Sequence, residues 1–556
     1  MFDFNSRRSP VYGRRGIVAA SQPLAVAAGL QALQAGGTAA DAAIATAAAL
    51  NVTEPTSTGL GGDAFALYYD AHTRTVSALN GSGRAPQALT LERLRREGLA
   101  EALPRFHPYT VTVPGAAAAW CDLTARFGRL PLSVTLAPAM RLAEEGFPVA
   151  PVTAYSWQIS AKRQLSEAVN GRELTLEGRG PRAGEIFRNP GLARTLRALA
   201  EGGKTAFYQG APAEAIVAIL REAGGCMAPE DLAAHTSNWV EPLSVVYRGL
   251  RVYECPPNGQ GLAALLALNL LEGFDLAALP PLSAERLHLE IEAMRLAFAD
   301  ARRFVADPEQ SPAPLAGLLS PAYTAERRRL IDMERCLPLA QAGSPPDSSD
   351  TVYLSVVDGE GNACSFINSN YMGFGTGIVP RGWGFSLQNR GHNFSLDAAH
   401  PNALGPGKRP YHTIIPAMAT YAGPAAPEGV PGEELYACFG VMGGFMQPQG
   451  HMQVFTALVD DGLDPQAALD RPRFCIEPDD RLLPGGSAQR GGVSLEEGIP
   501  LGVMARLAEL GHPVIPVSGL GRGLFGRGQI IRRDPLSGVL CAGSDPRADG
   551  CAMPLG

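Results

Sequence analysis

Asp350-Thr-Val-Tyr-Leu-Ser-Val-Val-Asp-Gly-Glu-Gly-Asn-Ala-Cys-Ser-Phe-Ile-Asn-Ser-Asn-Tyr371 is the stretch that decides how the rest of this chain is read. Residues 351–357 and 363–369 are rich in Val, Ile, Phe, Tyr and Ser, and the cluster Asp358-Gly-Glu-Gly-Asn362 between them is turn material, so the stretch reads as a hairpin. Its first strand opens on a hydroxyl residue. The run leading into it, Gly343-Ser-Pro-Pro-Asp-Ser-Ser-Asp350, is loop sequence with no apolar residue to anchor it. A Thr at the head of a core strand behind such a loop suits a chain that cuts itself at that point. The Thr351 side chain would then supply a nucleophile and its freed α-amine a base.

Working outward, 556 residues exceed the usual size of a single core, and 46% apolar with 18% charged residues is ordinary globular composition. A net charge of −7 without Lys or Arg runs gives no electrostatic footprint for nucleic acid or an anionic membrane surface. The nine cysteines are odd in number, scattered and never in Cys-x-x-Cys spacing, which reads as reduced structural thiols. The nine histidines include no His-x-x-x-His pair; His288 lies on a packing helix without a histidine one turn on, so no metal and no cofactor is expected. The N-terminus has two arginines but no apolar run behind them, and residues 17–50 are too broken by polar groups to span a membrane. A cytoplasmic protein is the expectation.

From residue 22 the pattern predicts two Ala-rich helices, Pro23–Ala35 and Thr38–Leu50, with Gly36-Gly37 as C-cap between them. Strands at Phe65–Tyr69 and Val76–Leu79 follow. Gly59-Leu-Gly-Gly-Asp63 before them is no phosphate loop, because no Lys-Ser/Thr follows. Helices are predicted at 116–127, 133–145, 189–201, 212–223 and 283–304, and strand character returns at Leu243–Tyr253 before a tight loop, Pro256-Pro-Asn-Gly-Gln-Gly261, and a helix at 262–271. Beyond the hairpin come short strands and glycine-rich turns, helices at 465–470 and 500–510, a Pro/Gly-rich surface loop at 422–434, and a closing hairpin around Asp534-Pro-Leu-Ser-Gly538. Strands at both ends with helices between predict an α+β fold of two facing sheets covered by helices.

Residues 351–395, with Gly405-Pro-Gly-Lys-Arg-Pro410 and Gly440-Val-Met-Gly-Gly444, resemble the gamma-glutamyltransferase family of N-terminal nucleophile hydrolases. Gly36-Gly-Thr-Ala-Ala-Asp-Ala-Ala43, Glu54-Pro, Gly59-Leu-Gly-Gly-Asp63, Val113-Pro-Gly115 and Asp545-Pro-Arg547 extend the likeness over nearly the whole chain. The resemblance implies a four-layer αββα sandwich and cleavage between Asp350 and Thr351. Chains 1–350 and 351–556 would then form one intertwined heterodimer, with or without further dimerisation. It also implies a role for each matching position. Thr351 is the nucleophile, first on the Asp350 carbonyl and then on an amide substrate. Ser369 stands where members carry a Thr that bonds the nucleophile, and Gly443 and Gly444 stand at the oxyanion hole.

The substrate pocket departs from the family pattern. Arg84, in Gly81-Ser-Gly-Arg84-Ala-Pro86, is the expected reader of a donor carboxylate but sits two positions late. Neutral Asn393 replaces the acid that holds the α-amine of a γ-glutamyl group, and losing such a charge-assisted bond weakens recognition by about 1.5–3 kcal/mol. Asn370, Asn389 and Arg390 complete the expected pocket, with His412-Thr413 in place of the usual Ser-Ser. The segment 394–405 is shorter than in members with a lid, which predicts an open cleft. Three readings stand at this point. The first is hydrolysis or transfer of γ-glutamyl groups from glutathione-like peptides to water or an amine. The second is an acylase or amidohydrolase acting on other acyl groups, such as glutaryl-cephalosporins or small amides. The third is an uncleaved, inactive binding protein.

Overall fold

The computed structural model describes residues 8–101, 103–337, 350–423, 426–476 and 492–556. The loop expected at 343–349, the first seven residues and part of the expected loop at 422–434 lie outside them.

The hairpin forms as read. Asp350–Asp358 pairs antiparallel with Ala363–Tyr371, Val352 opposite Asn368 and Val357 opposite Ala363. Asp358 fastens its turn by accepting the backbone N–H groups of Glu360 and Asn362, both at 3.0 Å, and that of Ala39 at 2.9 Å. The same carboxylate therefore anchors the hairpin to the start of the helix Ala39–Thr53, where Thr38 and Asp41 form a capping box. Every residue of that helix is buried, and its neighbour Pro23–Gln34 approaches so closely that a Cβ at Gly29 would lie 2.3 Å from Thr46 Oγ1. Small side chains are what allow two helices to stack here.

Two antiparallel sheets build the centre. In one, the strands run Cys551–Pro554, Gly16–Ala20, Asp350–Asp358, Ala363–Tyr371, Asp63–Asp70, Thr75–Gly81, Asn238–Val240. In the other they run Val11–Gly13, Leu540–Ser544, Arg527–Arg533, Leu435–Met442, Ala417–Tyr421, Leu250–Glu254, Leu243–Tyr247. Alternation along the second sheet sends Met418, Cys438 and Ile531 toward the first sheet. It sends Ala417, Ala419, Phe439 and Ile530 outward onto the helices Gly261–Leu271, Ala284–Phe304 and Met446–Val459. The expected αββα order is thus present. Both sheets interleave strands from before and after residue 350, so parts 1–350 and 351–556 share one core.

Three elements differ from the sequence expectation. Leu243–Tyr253 is a two-stranded turnback, because Arg248 takes a positive φ of 49° and reverses the chain. The helix predicted at 189–201 continues as Pro190–Tyr208 across a break at Gly203. Met446–Val459 is a buried helix where only strands and turns were expected; its Gln449 and Gln453 satisfy backbone groups of Ile476 and Phe474. Polar residues facing a strand end give no apolar stripe to detect. The nine cysteines are all unbridged. Among the described residues no helix is long and apolar enough to cross a membrane.

Candidate active site

Strand alternation sets Thr351, Tyr353 and Ser355 on the face between the sheets. Tyr353 lies flat on the facing strand, where a Cβ at Gly440 would come within 2.6 Å of its ring. That contact fixes the height of Thr351 in the gap. Thr351 Oγ1 stands 3.0 Å from Ser369 Oγ on the paired strand. Ser369 Oγ also accepts the backbone N–H of Tyr371 at 2.9 Å and Nη2 of Arg390 at 3.2 Å. Either of the two hydroxyls can be the donor in the Thr351–Ser369 contact. Arg527 donates to the Thr351 carbonyl at 3.4 Å and is paired at 3.0 Å with Glu54. Burial pushes the Glu54 carboxyl up, while Arg527 and the Ser21 hydroxyl, 2.5 Å away, hold it down.

Met442 pairs with Arg527 at the end of the facing strand, and Gly443-Gly444 follow it immediately. Their φ values of 134° and 59° lie where a side chain would strain the backbone. The Gly443 carbonyl accepts Met446 N–H, and the Gly444 carbonyl accepts Gln447 N–H and Gln260 Nε2. Because a trans peptide points its N–H opposite to its C=O, the N–H of Gly444 is turned away from the helix Met446–Val459. Gln260 Nε2 also holds the Thr413 carbonyl at 2.7 Å, tying this turn to the segment that carries Thr413.

Arg390 is fully buried. Its Nη1 donates to Thr413 Oγ1 at 2.6 Å, its Cζ lies 4.3 Å from the centre of the Tyr371 ring, and among the described residues no hydrogen-bond partner meets its Nε. Among the described residues no carboxylate comes within ion-pair distance of it. Burial accordingly draws its pKa down to about 10, with Asp63 and Tyr371 opposing. Tyr371 has a positive φ of 78° and donates its hydroxyl to Asn393 Oδ1 at 2.5 Å, while Asn393 Nδ2 donates to the Tyr411 carbonyl at 3.0 Å. The neutral Asn393 amide is therefore fixed in one orientation between a donor and an acceptor.

Behind this group, Asp63 gathers the loops. Its Oδ1 accepts Gly83 N–H, Gly115 N–H and Gln388 Nε2 at 3.0–3.1 Å, and its Oδ2 lies 2.9 Å from His412 Nε2. His412 Nδ1 accepts the N–H of Ile414, so the ring proton sits on Nε2, toward Asp63. Burial, helped by the Arg390 charge, lowers the His412 pKa to about 4 and keeps the ring neutral.

The structure brings Thr351, Ser369, Arg390 and Thr413 together through direct contacts, with Asn393 joined through Tyr371 and Gly443-Gly444 through Gln260. His412 supports them from behind, against the expectation that it lines the pocket. Arg84 is corrected more strongly: its guanidinium is paired with Asp307 at 3.2 Å and Glu309 at 2.8 Å, because the two-residue offset turns it toward a different loop. Asn370 faces opposite to Ser369 and packs on Gly59 and Gly62, where a Cβ at Gly62 would lie 2.7 Å from its Oδ1. Asn389 bridges Met372 N–H and the Arg105 carbonyl. Thr351, Ser369, Arg390, His412 and Thr413 are all fully buried, so among the described residues no open cleft reaches them, against the expectation. Tyr371, Glu54 and Arg527 had no role assigned from sequence. Glu54 and Asp63 stand in motifs that were visible there; Tyr371 and Arg527 carry no local signal.

The gamma-glutamyltranspeptidase family model matches residues 25–555. The chain belongs to this family. It is 35% identical over 544 residues to the glutathione hydrolase-like YwrD proenzyme of Bacillus subtilis, covering 98% of this chain and 99% of that one. It is 32% identical to the oxamate amidohydrolase proenzyme of Klebsiella pneumoniae, covering 97% and 98%. The solved structure of cephalosporin acylase from Bacillus halodurans superposes with a TM-score of 0.89 at 46% identity, covering 100% of this chain and 98% of that one. This member of the family is thus an enzyme of the N-terminal nucleophile hydrolase fold, with acylase and amidohydrolase relatives beside glutathione hydrolases.

Proposed function

We propose that this chain cleaves itself between Asp350 and Thr351 and then acts as an acylase on amides whose acyl group carries a carboxylate, with no requirement for an α-amine. In the first step Thr351 Oγ attacks the Asp350 carbonyl, the C–N bond breaks and frees the Thr351 amine, and water then opens the ester to release the Asp350 carboxylate and restore the Thr351 hydroxyl. In turnover Oγ attacks the substrate amide and that amine, of pKa about 8, takes its proton and delivers it to the leaving nitrogen. Gly443-Gly444 supply backbone donors to the oxyanion, worth about 3 kcal/mol each in such sites. Ser369, loaded by Arg390 and Tyr371 N–H, orients the nucleophile.

Arg390 carries the substrate reading. A buried guanidinium without a counter-ion is costly, and a donor carboxylate would neutralise it one hydroxyl away from the nucleophile. That separation suits short spacers such as a glutaryl group. Asn393, locked between Tyr371 and Tyr411, offers no negative charge to an ammonium. The γ-glutamyl reading keeps the support of the relatives named glutathione hydrolases, and the two share every step but amine recognition. Glutaryl, γ-glutamyl and butyryl anilides separate them: comparable kcat/KM on the first two and at least tenfold less on butyryl is expected. Equal rates on butyryl and glutaryl would remove Arg390 as a carboxylate reader, and a strong γ-glutamyl preference would restore the first reading. Thr351→Ala should remain a single 556-residue chain by mass; an active wild type of intact mass would overturn the self-cleavage.

A further inference from the structure

His288 and Glu292 lie one turn apart on the helix Ala284–Phe304 and so share a face. His512, just after the helix Leu501–Glu509, meets them there: His288 Nδ1 and His512 Nε2 are 2.7 Å apart, and His512 Nδ1 is 3.9 Å from Glu292 Oε1. All three are buried, and one ligand atom from each falls within 4.8 Å of the others. The surroundings are ordered for ligation. His288 Nε2 bonds the Asp332 carbonyl at 2.8 Å, which places its proton there and leaves the Nδ1 lone pair facing His512. Glu292 is held by Leu337 N–H at 2.6 Å and by Arg295 at 2.9 Å. A carbonyl that fixes the histidine tautomer and a hydrogen-bonded carboxylate are the usual outer contacts of metal ligands. Cys336 rests its thiol on the carbonyl of Gly511, the residue before His512, and so brings a soft donor to the same neighbourhood.

We propose that His288, Glu292 and His512 form a binding site for a divalent transition metal of the zinc class. The two imidazoles and the carboxylate match the donor types of zinc, and the ion would replace the proton shared between the imidazoles. Bonds of about 2.1 Å to both nitrogens at a tetrahedral angle require their separation to open from 2.7 Å by roughly 0.7 Å. His288 and Glu292 precede residue 350 and His512 follows it, and the bonded Asp332 and Leu337 belong to the segment before the cleavage point. Once the chain is cut, the ion would pin the end of the first part onto the second; this bridging role rests on the self-cleavage proposed above, whereas ion binding does not.

The test uses the whole untagged protein, stripped with a chelator, dialysed against zinc and counted by elemental analysis, with a thermal melt in parallel. About one zinc per chain, and a melting temperature raised by roughly 2 °C at hundredfold excess over Kd, are expected. His512→Ala and Glu292→Gln should lose the bound ion and the shift, while His72→Ala, at an exposed turn, should keep both. Because buried substitutions can unfold the chain, cobalt(II) gives a reading on the wild type alone: a visible d–d band from nitrogen and oxygen ligation supports the site. Absence of stoichiometric zinc and of that band, or equal binding in a folded His512→Ala, would overturn the proposal and leave a hydrogen-bonded histidine pair.

Discussion

Arg390 and Arg547 are equally buried and live opposite electrostatic lives. Arg547 is bonded to both oxygens of Glu496, at 2.6 and 2.7 Å, and to Asp545 at 3.0 Å, and these carboxylates raise its pKa above the usual arginine range despite burial. Arg473 joins the same group through Asp545 at 2.8 Å. Arg390 has two hydroxyls and an aromatic face, and its pKa is drawn down to about 10. A buried cation that the fold neutralises itself serves the fold. One without a counter-ion among the described residues, next to Thr351, is what the function proposed above uses to hold the donor's carboxylate.

The largest effect that tests this contrast is on stability. Arg547→Met removes one of the two arginines from each of Glu496 and Asp545, which keep Arg522 at 2.7 Å and Arg473 at 2.8 Å, and should still cost about 3 kcal/mol in urea unfolding, with activity per folded molecule unchanged. A loss under 1 kcal/mol would show that the ion cluster contributes little to holding the fold. Arg390→Met should do the reverse. Its stability should change by no more than about 1 kcal/mol, since no buried carboxylate loses its partner, while kcat/KM for a glutaryl anilide falls by about 1.5–3 kcal/mol, or 12- to 150-fold, relative to a butyryl anilide. Parallel losses on both donors would reduce Arg390 to a support for Ser369.

Asn393→Asp sharpens the comparison by adding the missing acid. The new carboxylate keeps the Tyr371 donor but faces the Tyr411 carbonyl where Nδ2 donated, so it is available to an ammonium. The ratio of kcat/KM for γ-glutamyl over glutaryl anilide should rise by about 1–2 kcal/mol, roughly 5- to 30-fold. An unchanged ratio would mean that another group reads the amine. Arg84→Ala, by contrast, should leave the glutaryl-to-butyryl ratio within about twofold, because its guanidinium is already spent on Asp307 and Glu309.

The smallest effect is a titration. The His412 pKa of about 4 lies below the unfolded value near 6.5, so its contribution to stability is full above pH 6.5 and is lost as pH falls from there toward 4. The Arg390 charge is a secondary cause after burial, so Arg390→Met should lift the His412 titration by a fraction of a unit and soften the acid-side loss. Imidazole proton shifts followed by NMR between pH 3 and 7 would register it; an unmoved titration would place Arg390 too far away to matter.

The hairpin with Thr351 at its head, the paired Ala-rich helices and the layered class were legible in the sequence, because they rest on local signals: strand alternation, turn residues, caps and small-residue runs. Family motifs also singled out Ser369, Thr413 and the Gly443-Gly444 turn, which the fold gathers near Thr351 through Arg390 and Gln260. Only tertiary structure decided which arginine is free. Arg84 and Arg390 look alike in sequence, and the difference lies in Asp307 and Glu309, more than two hundred residues from Arg84, which neutralise one and not the other. The helix Met446–Val459 and the His288–Glu292–His512 cluster were hidden for the same reason. A buried polar side chain is stabilised by partners remote in sequence, and no window along the chain contains both members of such a pair.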